Sequence, residues 1–300
     1  MITFNLEVIL NKIQDRNLHH AVKLRNNTHD LGDLYHHKAS LFLKKYEAYL
    51  QREGENIDFG INRYLIMLET MLQERIQFIK TGQYSNTSFE EVEKSVYANP
   101  EAMVSHMHGL VLAQFLWPDQ YTRFLFFSTN FHKYFNDFCT YLEIGGGHGL
   151  YLNEAIELFP QARQFDLVDI SQSSIDLAKG IIDNDRVNYY HKNVYDFDEN
   201  EYNFITMGEV LEHVEDPLGL LTKTVSLLSP NGVCYITTPI NSPMLDHIYL
   251  FNDEEEIRTL FHSAGLQIIE EKIAISDNKS TTYAKKNKTP VMYAAFLKKI

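Results

Sequence analysis

Tyr141-Leu-Glu-Ile-Gly-Gly-Gly-His-Gly149 is a short apolar run carrying one acid that passes directly into glycines at alternate positions, and its reading decides the fold. The run predicts a buried strand, and Gly145, Gly147 and Gly149 predict a tight turn where a Cβ would collide with a ligand held close to the backbone. Asp169 follows at the end of the next apolar run, Phe165-Asp-Leu-Val-Asp-Ile170. Open α/β sheets bind ligands at the carboxyl ends of adjacent parallel strands, so a nucleotide-type cofactor is expected there. Glu143 and Asp169 then accept from its hydroxyl and amino groups. The dinucleotide fingerprint G-x-G-x-x-G is not matched, because Gly-Gly-Gly-His-Gly runs into Leu150.

With these motifs in place, residues 137–300 resemble the class I S-adenosylmethionine-dependent methyltransferases of small molecules. Glu143-x-Gly145-x-Gly147-x-Gly149 is similar to the loop that cradles the methionine end of that cofactor, and Asp169 to the acid that binds its ribose. Val187-Asn-Tyr-Tyr-His-Lys-Asn-Val-Tyr-Asp196 resembles the segment ending the third strand, with Asn193 standing where the family usually has an acid for the adenine amino group. Ile170, Asn193, Val194 and Glu209 complete the cofactor-binding set that the resemblance implies. Tyr202–Met207 is similar to the fourth strand, and Ser229-Pro-Asn-Gly232 to the turn into the fifth. The implied fold is a Rossmann-like seven-stranded sheet with helices on both faces and an antiparallel hairpin, Leu266–Ile275 with Pro290–Leu297, at one edge. Ser276 to Thr289 reads as a polar basic loop between those strands.

Residues 1–136 read as a helical domain. Apolar positions recur at helical spacing through Leu31–Leu50 and Ile61–Ile79, with Gly54, Gly60 and Gly82 as turns. Thr87 or Ser88, and Asn99-Pro100, look like helix starts, and Trp117-Pro118 interrupts the pattern. This half is expected to form a lid that supplies the acceptor pocket, and its apolar helices offer a surface for a homodimer. His19, His20, His36, His37, His106 and His108 lie on predicted helices, where solvated or interhelical roles are expected, and His148 is expected to face solvent.

The 300 residues carry a net charge of −13, which argues against a general nucleic-acid binder, since phosphate attraction needs a basic face. The two cysteines, Cys139 and Cys234, lie in or beside apolar strands and read as buried thiols without a disulfide framework. The N-terminus soon meets acids and amides, so neither a signal peptide nor a spanning helix is expected and a cytoplasmic location follows; an enzyme acting on a small-molecule acceptor is what the resemblance implies.

Methyl transfer asks the protein to align a nucleophile with the S–CH₃ bond, exclude water and remove a proton. Glu209, Glu212 and His213, if helical, share one face above the cofactor's reactive end. With His247 they form a candidate site for a divalent cation. The spacing is similar to the Glu-x-x-Glu-His motif used for metal in small-RNA 2′-O-methyltransferases and ubiquinone-biosynthesis O-methyltransferases. Without a cation, Glu209 and Glu212 cap the helix and His213 contacts the cofactor or acts as base. Among the aromatics, Tyr121 is the residue favoured to meet the sulfonium by cation–π attraction. Three alternatives stay open: metal-assisted C-methylation of a 2-oxo acid, ring closure through the cofactor's aminobutyl chain, and a non-catalytic cofactor-binding scaffold.

Overall fold

The computed structural model describes residues 6–97, 99–198 and 201–300. The reading of the extreme N-terminus therefore falls in part on residues 1–5, outside the described residues.

A mixed seven-stranded sheet in the order β3-β2-β1-β4-β5-β7-β6 organises the C-terminal half. Its strands are β1 (Thr140–Ile144), β2 (Gln164–Asp169), β3 (Val187–His191), β4 (Tyr202–Gly208), β5 (Leu228–Ile240), β6 (Leu266–Ile275) and β7 (Val291–Lys299). β1 lies between β2 and β4 with parallel register, and every residue of β1 is buried, as a strand covered on both faces must be. β7 runs antiparallel between β5 and β6, as the hairpin reading anticipated. The carboxyl ends of β1, β2 and β4 thus meet at one edge, with the glycine loop beside Asp169.

The helical half comprises α1 (Leu6–Arg16), α2 (Leu18–Thr28), α3 (Gly32–Arg52), α4 (Ile57–Thr81), the short α5 (Phe89–Val92) continued by a π turn, α6 (Pro100–Leu116) and α7 (Pro118–Asn130). Side-chain caps set several starts: Asn56 accepts from Asp58 N, Ser88 from Glu91 N and Asn99 from Ala102 N. Gly82, at φ +75°, ends α4. Gly60 is no turn but lies inside α4, where an added Cβ would sit 2.6 Å from the Tyr46 hydroxyl; its absence lets α3 and α4 close on each other.

α7 belongs physically to the sheet. Phe127 packs on Tyr235 (5.2 Å between ring centroids), Phe131 on Phe204 (4.8 Å) and Phe126 on Phe296 (5.3 Å). A division at 136/137 passes through this contact, and one core runs from Leu6 through the aromatic layer to Phe296. α8 (Leu150–Leu158) and α9 (Gln172–Ile182) cover the same face, while α10 (Pro217–Leu227) and α11 (Glu254–Ser263) cover the other around a second core. The segment expected as a polar loop holds a helix, α12 (Thr281–Asn287), started by Ser280, which accepts from Tyr283 N. No helix among the described residues is long and apolar enough to cross a membrane.

Candidate active site

The glycine-loop end of the cavity, where a cofactor is expected, is built from backbone. Gly145, Gly147 and Gly149 hold φ of +65°, +52° and +71°, the left-handed region that L side chains avoid. A Cβ at Gly145 would lie 2.6 Å from Val210 Cγ2, and one at Gly149 2.7 Å from Ile182 Cδ1, so the loop's own packing requires two of the three glycines. Asp169 closes the cradle: its carboxylate accepts from Ser171 N (2.8 Å) and from Gly147 N (3.3 Å). Glu143 is buried beneath the loop and accepts from the Tyr141 hydroxyl at 3.3 Å. Burial pushes its carboxyl up to about 8, against the opposing pull of a Leu152 backbone donor and of Tyr141. Glu143, the glycine loop, Asp169 and the half-exposed Ile170 all line one cavity of about 630 Å³.

Two expected cofactor contacts lie outside that lining. Asn193 caps a short 3₁₀ turn by accepting from Tyr195 N at 3.0 Å, and Val194 packs into the second core. Their spacing along the chain was right for the third strand's end, but local turn formation directs the amide to its own backbone.

At the end of β4 the chain does not form the α-helix that the Glu209, Glu212, His213 spacing presupposed. Glu209 takes φ +57°, donates its N–H to Thr237 O (3.0 Å), and is followed by a 3₁₀ turn, Leu211–His213. Its carboxylate is thereby turned toward α7, where it pairs with Arg123 and accepts from Thr237 Oγ1 at 2.8 Å. Arg123 is fully buried and also donates to Gln120. Burial opposes the guanidinium's charge, but Glu209 beside it outweighs burial and holds it above its ordinary range. Glu209 therefore lines the cavity as half of an ion pair and leaves the metal quartet.

The other three members do converge. Glu212 Oε1, His213 and His247 offer ligand atoms all within 4.8 Å of one another. Glu212 is completely buried; Oε2 accepts from Thr238 Oγ1 (3.0 Å), whereas Oε1 has no hydrogen-bond partner among the described residues. His213 Nδ1 lies 2.9 Å from Asp246 O, and His247 Nδ1 2.6 Å from Ser242 O. A carbonyl only accepts, so each Nδ1 donates, and burial keeps the His247 ring neutral with a lone pair at Nε2. The two Nε2 atoms, of His213 and His247, lie 3.8 and 3.9 Å from Glu212 Oε1. Burial, and next the charge of Glu209, push the Glu212 carboxyl well above its usual range, and burial lowers His247 to about 3. Glu212 Oε1 and the His247 Nε2 lone pair, 3.9 Å apart, call for a proton or a cation between them.

Sequence reasoning missed further members. Asp246 is buried between His106 (3.2 Å) and His213 (3.5 Å), so His106 of α6 reaches the site instead of solvent. His20 and His148 also line the cavity, whereas His108 is buried against the Tyr46 hydroxyl at 2.7 Å. Tyr121 lies outside the lining: it packs edge-on against Tyr35 in the helical core, at 4.8 Å between centroids. Gln120 and Arg123, three residues apart on α7 and so on one face of the helix, hold the cavity side instead. Both cysteines are free, Cys234 buried and Cys139 partly so.

The glycine cradle, the adjoining polar cluster and the enclosing helices share one cavity. Residues 114–271 match the family model of a methyltransferase domain, more than half of the chain. The chain belongs to the class I S-adenosylmethionine-dependent methyltransferases. It is 30% identical over 123 residues to the ubiquinone biosynthesis O-methyltransferase of Coxiella burnetii, a match covering 40% of this chain and 51% of that protein. The chain thus spans about half the length of the curated relatives it matches. Among solved structures, the mitomycin 7-O-methyltransferase MmcR shares the fold at a TM-score of 0.52 and 13% identity, over 77% of this chain and 68% of its own.

Proposed function

We propose that the protein methylates a small-molecule acceptor, at oxygen, inside the cavity enclosed by the helical half and the carboxyl edge of the sheet. The observation that carries this reading is the continuity of that cavity: Gly147 and Asp169 line it together with His213, Glu209 and residues of α2, α4 and α6. The O-methyl assignment draws on the named Coxiella relative, and the acidic composition favours a small dissolved acceptor over nucleic acid. Glu143 and Asp169 would accept from the cofactor's amino and hydroxyl groups. An acceptor hydroxyl would attack the sulfonium methyl; the new O–C bond forms as S–C breaks, S-adenosylhomocysteine leaves, and the proton passes to His213 Nε2. The backbone oxygen of Asp246 holds His213 in the tautomer that this step needs. Arg123 and Glu209 act as a positioning pair, fixing the turn after β4 against α7.

A second reading rests on the orphaned Glu212 oxygen between two imidazoles. One carboxylate and two imidazoles fit a divalent cation, held by Glu212, His213 and His247. When bound, such a cation would orient an acceptor with two oxygens and favour its ionised form. The two readings differ in the role of His213, and one experiment separates them. Catechol and phenol acceptors are supplied with labelled cofactor, S-adenosylhomocysteine is quantified, and metal content is measured before and after chelation. Turnover that survives chelation, in protein free of metal, assigns His213 as base; activity lost with the metal and restored by a divalent ion assigns the cation. Absence of S-adenosylhomocysteine with every acceptor would overturn both.

A further inference from the structure

We infer that the mouth of the same cavity is an anion subsite, which holds a carboxylate, sulfonate or phosphate carried by the acceptor on an apolar body. The inference rests on the acceptor reading above. The cavity has a second polar region besides the Glu212 cluster, reached along walls formed by Leu68 and Met71 of α4, Met103 and Leu110 of α6, and Met292 of β7. Lys23 of α2, Arg75 of α4 and Lys279, ahead of α12, line it together. Exposed Leu72 and Tyr283 beside them mark this end as the mouth.

Charge there does not balance. Asp277 pairs with Lys23 at 2.8 Å and accepts from Asn27 at 3.2 Å. Burial raises the carboxyl of the other nearby acid, Asp119, which accepts from Ser276 Oγ at 2.7 Å. Arg75 and Lys279 are left without a carboxylate partner among the described residues. The Arg75 guanidinium is anchored by two neutral carbonyls, Asn287 O (2.7 Å) and Lys288 O (2.6 Å), which fix its direction and leave its charge unopposed. Lys279 stands over the Tyr283 ring at 5.6 Å, a contact that positions an ammonium without neutralising it. In a chain of net charge −13, two uncompensated cations held at the mouth of an apolar cavity describe a receptor for an amphipathic anion.

The test uses the full-length protein loaded with S-adenosylhomocysteine and two fluorescent probes, anilinonaphthalene sulfonate and phenylnaphthylamine, which share an aryl body and differ by the sulfonate. The anionic probe should bind about 10-fold more tightly, and Arg75→Gln or Lys279→Gln should each remove most of that difference while leaving the neutral probe unchanged. Octanoate should displace the anionic probe, octanol should not, and inorganic phosphate, lacking the apolar body, should do so only weakly. Equal affinity for the two probes, or variants that weaken both alike or neither, would overturn the subsite. S-adenosylhomocysteine affinity in each variant, measured by calorimetry, reports whether the fold is intact. Because the probes need no turnover, failure of methyl transfer with the anionic probe still selectively bound would count against the acceptor reading alone.

Discussion

The two ends of the cavity are built on different principles. At the cofactor end, Glu143, the glycine loop and Asp169 belong to one βαβ unit, and their positions follow from strand, turn and strand in immediate succession. At the acceptor end, Arg123, His106, His247, Arg75 and Lys279 come from three separate helices and two loops and meet only through tertiary packing. Backbone geometry builds the first end and side-chain burial the second. A mutation at the cofactor end should therefore act on affinity, and one at the fully buried Arg123 should act first on stability.

Arg123→Met is the strongest attempt to break that contrast. It leaves Glu209, whose side chain is 29% exposed, without its partner; breaking a fully buried ion pair from one side costs about 3–5 kcal/mol, and water at Glu209 should hold the loss to the low end, about 3 kcal/mol. Urea denaturation should show that loss, and the double variant with Glu209→Gln should recover part of it. A single variant as stable as the parent would mean that water reaches Glu209 freely and that the pair does not position the turn.

Asp169→Ala is the counterpart at the cofactor end. Losing a charge-assisted hydrogen bond costs about 1.5–3 kcal/mol, so cofactor affinity by calorimetry should fall roughly 10- to 100-fold. The denaturation midpoint should shift far less than for Arg123→Met, because the Ser171 and Gly147 amides that Asp169 receives lie beside the open cavity, where water can replace it. A large stability loss with unchanged affinity would reverse the assignment of the two ends.

The same contrast explains what was legible in the sequence. The strands and the glycine loop follow from local periodicity and turn chemistry, the hairpin edge was implied by the family resemblance, and Leu266–Ile275 was bounded correctly because Gly265, at φ +81°, punctuates the chain ahead of it. Glu209 was misplaced because residue spacing carries no sign of a left-handed residue at a strand's end. Arg123 was obscured by its aromatic surroundings, Tyr121 to Phe127, although an arginine within so apolar a helix was itself a signal that a buried carboxylate must face it. His106 offered a similar clue: Met103, Leu112, Ala113 and Phe115, on different sides of the helix, leave α6 buried nearly all round, so its polar residues had to find internal partners.

The smallest expected effect is Glu143→Gln, where both principles meet in one side chain. Burial raises the folded-state value to about 8 from the ordinary 4.5, so between those values the unfolded chain has released a proton that the folded, cofactor-free protein retains. Folding then takes up a proton, and the contribution of Glu143 to stability falls as pH rises through this window and levels off above it. Glutamine, an uncharged isostere, removes that dependence. The variant should match the parent near pH 4.5 and exceed it by roughly 1–3 kcal/mol near pH 8, a gain read from denaturation midpoints across that range. Its affinity for cofactor should nonetheless fall, since an amide is a weaker acceptor than the carboxylate that binding draws out. Cofactor binding to the parent near neutral pH should accordingly release a proton, visible as a binding enthalpy that varies with buffer ionisation and is lost in the variant. A parent whose binding enthalpy is the same in every buffer would show that Glu143 does not change its protonation when cofactor binds, and its role as the acceptor that binding draws out would be lost.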